Sequence, residues 1–254
     1  LLVLGGAGFS LYAPVLVKRW PEADLGVFGE AEHTFRSLVD RPADFRNVPG
    51  VYYREGGRVR YTGDRPWIDF DALPSPRWDI VDLGPYLRHP TSLGLQSRRG
   101  CALRCLHCSD LYLLGPCVRR RSPQRAADDV ENLLRRHGVR RFMFADQVFN
   151  HPLDHAEAVC LELRRRRLPV RWSAWFNEAT VTASFLKLCK EAGCRTAHFS
   201  PDSAHDPTLR VLRKNITHAD IRNACRAAKQ ADLPITLDFM INGPGETVWG
   251  IVKT

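Results

Sequence analysis

The chain has 254 residues, 44% of them hydrophobic, with 37 lysines and arginines against 28 acids for a formal charge of +9. That is enough apolar material for one large or two smaller packed cores, and no apolar run approaches the roughly 20 residues that cross a bilayer. Eight cysteines in such a length are too sparse for a disulfide scaffold, so a reduced, cytoplasmic protein is expected.

Residues 1–62 read as part of an α/β unit: a strand "LLVLGG", a helix from about Tyr12 to Trp20, a strand "ADLGVFG", a helix "AEHTFRSLVD" and a hairpin "VYYREGGRVRY". Gly56 and Gly57 mark the hairpin, because glycine supplies the positive φ of a tight turn. Residues 63–91 carry five prolines and two tryptophans and predict an ordered linker without a helix interior. From 92 to 254 strands alternate with helices at about 123–137, 154–167, 182–192 and 218–231, the last strand being "PITLDFMIN". Such alternation calls for parallel βαβ units, in a barrel or a large sheet, with chemistry at the C-terminal ends of the strands. Asp146, Asn177, Asp202 and Asn242 fall at those ends. The opening run without a methionine and the closing "GETVWGIVKT" read as the ends of a piece of a longer protein.

Three cysteines, Cys101, Cys105 and Cys108, stand in "SRRGCALRCLHCSD" after the first strand of this alternation. Three soft thiolates on one loop suit an iron–sulfur cluster or zinc. Structural zinc wants four protein ligands, with His107 and Cys117 the nearest further donors, whereas a four-iron cube on three cysteines leaves one iron open. The other cysteines, Cys117, Cys160, Cys189, Cys194 and Cys225, read as ordinary buried or half-buried residues. The arginine runs 119–121 and 164–167 read as solvated faces, with a nucleic-acid surface as the competing use.

Cys-x-x-x-Cys-x-x-Cys after the first strand of a repeated βα pattern resembles the radical S-adenosylmethionine (SAM) superfamily, from about Ser92 onward. The resemblance implies a partial (βα)6 barrel and a [4Fe-4S] cluster on Cys101, Cys105 and Cys108, with SAM chelating the open iron and yielding a 5′-deoxyadenosyl radical on reduction. It also implies SAM contacts. His107 stands where the family has an aromatic residue near the adenine, and "FMFADQVFN" nominates Asp146 for the SAM amino group. "HFSPDS" nominates Ser200, Asp202 and Ser203 for the ribose, in place of the commoner Gly-x-Glu-Ser. "FMINGPGET" nominates Gly243 and Pro244, with Gly245, beside the adenine. Lys214 matches a family position after the ribose segment, an exposed lysine being the competing account.

At the front, "LLVLGGAGFS" and "GVFGEAEHTF" resemble the second half of a doubly wound cobalamin-binding domain, which implies that Gly5, Gly6, Gly29, Glu30 and Glu32 line the cofactor's nucleotide tail. The implied function is cobalamin-dependent methyl transfer to an unactivated atom of a small-molecule or peptide substrate, with a flavodoxin- or ferredoxin-type reductant. Radical ring formation or rearrangement is the alternative within the class. A zinc-containing, basic RNA-binding module is the alternative from another class.

Overall fold

The computed structural model describes residues 1–88 and 93–254. The start predicted for the first barrel strand at Ser92, and the end of the predicted linker, lie outside the described residues. The chain divides into two compact units, Leu1–Asp69 with Ser109–Pro116, and Phe70–Cys108 with Cys117–Thr254. A separate linker over 63–91 therefore does not describe the described residues: 63–69 belong to the first unit and 70–88 to the second. The chain passes into the first unit directly after Cys108 and returns at Cys117.

In the first unit β1 (Val3–Leu4), α1 (Gly6–Arg19), β2 (Leu25–Val27), α2 (Glu32–Asp40), β3 (Val51–Glu55) and β4 (Arg58–Tyr61) form a four-stranded sheet in the order β1-β2-β3-β4. β1 and β2 are parallel, and β3 and β4 add antiparallel. The hairpin closes with Glu55 opposite Arg58, and Gly56 and Gly57 have φ of 56° and 74° as the tight two-residue turn requires. α1 begins at Gly6, six residues before the predicted start, and kinks at Tyr12. Pro14 inside this helix lacks an N–H and its ring crowds the preceding turn, which accounts for the kink.

The second unit opens with a linker segment that includes a 3-10 turn at Trp78–Ile80 and α3 (Gly84–Leu87), where Pro85 sits in the first turn and so costs no hydrogen bond. β5 (Gly94–Leu95) is followed by β6 (Arg98–Arg99), the cysteine loop and α4 (Asp110–Leu114), which lies in the part of the chain counted with the first unit. β7 (Arg119–Arg120) pairs antiparallel with β6. The alternation then runs α5 (Pro123–His137), β8 (Arg141–Phe144), α6 (Leu153–Arg166), β9 (Arg171–Phe176), α7 (Ala183–Glu191), β10 (Cys194–Asp202), α8 (Asp206–Val211), α9 (His218–Ala231), β11 (Ile235–Phe239) and α10 (Val248–Lys253). The helices α4, α8 and α10 are too short for sequence periodicity to reveal.

β5, β8, β9, β10 and β11 form one all-parallel sheet in sequential order, the wall of a partial barrel. Its core packs Phe142, Phe144, Phe149, Trp172, Phe176 and Phe199, each at most 3% exposed, against α5, α6, α7 and α9. α9 starts on a capping box in which Thr217 and Asp220 satisfy each other's backbone N–H groups.

Arg121, 2% exposed, ties the segment 70–73 to this core. It pairs with Asp129 at 2.6 Å and donates to the carbonyls of Phe70 and Leu73 at 3.2 and 2.9 Å. Arg121→Met is expected to strand the Asp129 carboxylate and lower stability by about 3–5 kcal/mol, the scale for breaking a buried pair, measured by chemical denaturation. A loss below about 1 kcal/mol would mean that the pair is not carrying this attachment.

Candidate cluster and SAM site

All eight cysteines are thiols. Cys101 is buried, Cys105 half-buried and Cys108 exposed, on a loop with a single turn in which Cys108 N–H donates to Cys105 O at 3.3 Å. The loop is pinned again where Leu106 N–H donates to Leu212 O at 2.9 Å. Burial pushes the Cys105 thiol up, and Lys214 draws it down. Cys160, Cys189 and Cys194 are buried and Cys225 half-buried, as expected, but Cys117 is exposed.

The loop is rooted on Asp146, at the end of β8. This carboxylate, 2% exposed, accepts from Ser97 N–H at 2.8 Å, Ser97 Oγ at 2.6 Å and Arg98 N–H at 3.2 Å. Burial pushes it up to about 6 against those hydrogen bonds and the Arg98 charge. Asp146 thus holds the strand that feeds Cys101, with both oxygens already engaged.

Asp202 is the meeting point of the remaining nominated residues. It ends β10 at a register shift, with φ of 67°, a left-handed conformation that aspartate tolerates better than most side chains. Its Oδ2 lies 2.9 Å from Lys214 Nζ and 3.5 Å from His107 Nε2, while Ser200 Oγ donates to Oδ1 at 3.1 Å. Lys214 is no exposed lysine: its side chain is 12% exposed and also donates to Ser200 O at 2.7 Å. Ser203 is fully buried and turned away to Thr254 Oγ1 and His205 N–H. Gly243 and Pro244 follow β11 in a turn that Glu246 holds through the N–H groups of Asn242 and Gly243. A Cβ on Gly243 would stand 2.9 Å from Met240 and 3.9 Å from Leu212, the residue that pins the cysteine loop. His107, Ser200, Asp202, Lys214 and the Gly243 turn are therefore gathered around the loop.

Two groups escaped the sequence reading. Glu178, directly after β9, is 4% exposed, and burial pushes its carboxyl up to about 7, with Lys214 drawing it down and Asp202 and Asp220 pushing further up. Arg98 is wholly buried three residues before Cys101. Its guanidinium Nη1 donates to His151 O, while Nε and Nη2 have no oxygen or nitrogen acceptor among the described residues and the Cys101 side chain is the remaining partner. Each stands in a polar stretch, "QSRRG" and "NEAT", so no local pattern marks either as buried.

In the first unit Gly6 and Gly29 have φ of 89° and 68°. Gly29 N–H donates to Ser10 Oγ at 2.8 Å, and a Cβ on Gly29 would stand 2.4 Å from Arg65 Nη2. Glu30 is buried, 3.4 Å from the same guanidinium, so its charge is spent inside the unit. Gly5 borders an apolar hollow with Leu4, Phe9 and Trp20. A second hollow of about 280 Å³ is walled by Phe28, Tyr52, Tyr61, Trp67 and Tyr112.

Among the described residues no three histidines, cysteines or acids converge on a single metal ion. The donor set is nonetheless suited to a cluster whose iron corners stand apart: three soft thiols, one face lined by Asp202 and Lys214, and guanidinium N–H groups beside the buried thiol. The arginine run of α6 is occupied within the fold, Arg164 on Glu191 and Arg166 on Glu162, Asp128 and Glu131. No helix among the described residues is long and apolar enough to cross a membrane.

The second unit is thus a parallel βα sheet with a three-thiol loop beyond its first strand. The sequence profile of the Radical SAM superfamily matches residues 95–254, and the chain belongs to that superfamily. It is 29% identical over 97% of its length to an uncharacterized methyltransferase of Pyrococcus horikoshii, covering 55% of that protein. It is 27% identical over 97% of its length to the anaerobic magnesium-protoporphyrin IX monomethyl ester cyclase of Cereibacter sphaeroides, covering 42%. The chain thus spans about half the length of the curated relatives it matches. The fold of 98% of the chain is that of the radical SAM methyltransferase TsrM of Kitasatospora setae, solved with cobalamin and a [4Fe-4S] cluster (TM-score 0.83, 21% identity, 51% of that chain). Membership overturns the zinc-containing RNA-binding module as a reading of the loop.

The raised Glu178 carboxyl has a stability consequence. The folded state holds its proton up to pH about 7 while an unfolded glutamate releases it near 4.5, so stability falls as pH rises through that window. At 1.36 kcal/mol per unit the cost above pH 7 is about 3 kcal/mol. Urea denaturation at pH 5 and pH 8 is expected to show Glu178→Gln losing roughly 2 kcal/mol less than the parent across that interval; parallel losses would mean that Glu178 stays ionised in the fold.

Proposed function

We propose that this chain carries the chemical core of a cobalamin-dependent radical SAM methyltransferase that acts on an unactivated atom of a small-molecule or peptide substrate, with a flavodoxin- or ferredoxin-type protein as electron donor. The observation that carries this reading is the three-thiol loop with Asp202, Lys214 and His107 beside it, in a chain whose first unit has the resemblance to a cobalamin-binding domain. The name of the Pyrococcus relative supports it.

Cys101, Cys105 and Cys108 hold a [4Fe-4S] cluster, which when bound and reduced supplies the electron that cleaves the sulfonium of SAM. Asp146 fixes the entry of the loop, and the Leu106–Leu212 bond fixes its middle. Lys214 holds the Asp202 carboxylate in place to accept from a ribose hydroxyl. The Gly243–Gly245 turn lets backbone approach a flat base, Gly245 having φ of 75°. In the first unit the hollow beside Phe28 offers a ring-lined surface, with Asp64 and Arg65 at its wall, that suits part of a flat macrocycle with polar substituents, and Gly6 and Gly29 offer backbone, whereas Glu30 is engaged with Arg65.

The cyclase relatives favour a second reading in which the same core drives radical ring formation. Label from the SAM methyl group recovered with added cobalamin supports methyl transfer, and SAM cleavage without such label supports ring formation.

After anaerobic reconstitution the chain is expected to hold four irons and four sulfides. The triple variant Cys101→Ala, Cys105→Ala, Cys108→Ala should hold none, while Cys117→Ala keeps the full content; normal iron in the triple variant would sink the assignment. Asp202→Ala should weaken SAM binding by about 1.5–3 kcal/mol in calorimetry, the range for a hydrogen bond to a charged group, with the cluster intact. Equal affinities would return Asp202 to holding Lys214 alone.

A further inference from the structure

Arg98 is the least explained charged group in the second unit. It is 0% exposed, and moving a guanidinium out of water costs several kcal/mol unless charges and acceptors replace the solvent. The fold supplies only part of that compensation. Nη1 is satisfied by His151 O, whereas Nε and Nη2 are buried with no oxygen or nitrogen acceptor among the described residues, and the Cys101 thiol is the partner left to the guanidinium. The Asp146 carboxylate offsets the Arg98 charge through space, while the hydrogen bonds its oxygens accept come from Ser97 N–H, Ser97 Oγ and the backbone N–H of Arg98. The Cys101 thiol interacts with the Arg98 guanidinium both through its charge and through a side-chain hydrogen bond, and Arg120 opposes the charge. A fold that keeps a fork of donors with no oxygen or nitrogen acceptor beside a buried cysteine is prepared for an anion at that cysteine.

The geometry points to Arg98 as the electrostatic partner of the iron–sulfur centre: its N–H groups donate to the sulfur of Cys101 or an adjacent sulfide and hold the reduction potential of the cluster up. This rests on the cluster assignment proposed above. In the step concerned, one electron leaves an external one-electron reductant and enters the cluster, which becomes more negative by one charge. No bond breaks and no proton moves, since the guanidinium is charged before and after. A fixed buried cation stabilises the more negative state over the less negative one, and hydrogen bonds to the sulfurs act in the same direction. Arg98 therefore makes the cluster easier to reduce, which is a different task from holding it.

The experiment is an anaerobic redox titration of the reconstituted chain followed by electron paramagnetic resonance, on the parent, Arg98→Met and Arg98→Lys. Arg98→Met, of similar bulk and no charge, is expected to lower the reduced-to-oxidised ratio at a fixed potential about tenfold, a drop of about 59 mV for a one-electron couple. Arg98→Lys, which keeps the charge and loses the fork, should fall between the two. An Arg98→Met protein with parental iron and sulfide and an unchanged potential overturns the proposal. Should that variant fail to fold, the parent itself decides: its iron–sulfur stretching bands in resonance Raman are expected to shift after reconstitution in D2O, because guanidinium hydrogens on sulfur exchange, and unshifted bands overturn the proposal. Absence of any cluster from the parent removes the cluster assignment and this role with it, whereas a normal cluster indifferent to Arg98 removes this role alone.

Discussion

The Asp146 carboxylate, buried at the end of β8, accepts hydrogen bonds from the backbone and hydroxyl of Ser97 and from the backbone of Arg98, and through them it sets where the cysteine loop leaves the sheet. Burial opposes its charge, so these bonds must outweigh the lost hydration for the anion to persist. The constraint is tight because it links two neighbouring parallel strands at their C-terminal ends, where β5 and β8 already lie side by side. A loop of eight residues with almost no regular hydrogen bonding can place three thiols reproducibly only if its root is rigid. The Leu106–Leu212 bond supplies the second fixed point, and it does so from the segment that also packs under the Gly243 turn.

Around that loop the charges are arranged unevenly. On one side Lys214 and Asp202 form a close pair with His107 and Ser200 attached, a polar face that can exchange partners with a ligand. On the other side Arg98 is sealed from water and only partly paired. The exposed pairs elsewhere, such as Arg164 with Glu191, contribute little individually to stability because solvent screens them. The buried pair of Arg121 with Asp129 is different, since it fastens residues 70–73 to the core through two carbonyls as well as a carboxylate.

In the first unit the same economy of charge appears. Arg65 fills the space over Gly29 and pairs with Glu30, and Arg54 donates to four backbone carbonyls, those of Val17, Trp20, Pro21 and Ala23. Arginine is used here as a backbone tie, which a composition rich in arginine does not distinguish from a ligand-binding surface. Gly6 and Gly29 have positive φ values, a backbone conformation that glycine adopts without strain.

What the sequence by itself determined were the features with short periods and fixed spacings. Alternating strands and amphipathic helices located α5, α6, α7 and α9 to within a residue or two, because each buries one face at a regular repeat. The spacing of Cys101, Cys105 and Cys108 put three soft thiols on one short loop, and the superfamily match, not the spacing, favours an iron–sulfur cluster over zinc for them. Short helices such as α8, lacking enough turns to show a period, stayed hidden. What only the tertiary structure decided were partnerships between residues far apart in the chain: Asp146 with Ser97, Lys214 with Asp202, Glu30 with Arg65, and Arg98 with the carbonyl of His151. Whether a charged side chain meets solvent, a counter-ion or nothing depends on which strands the crossovers bring together. No local pattern of residues encodes that.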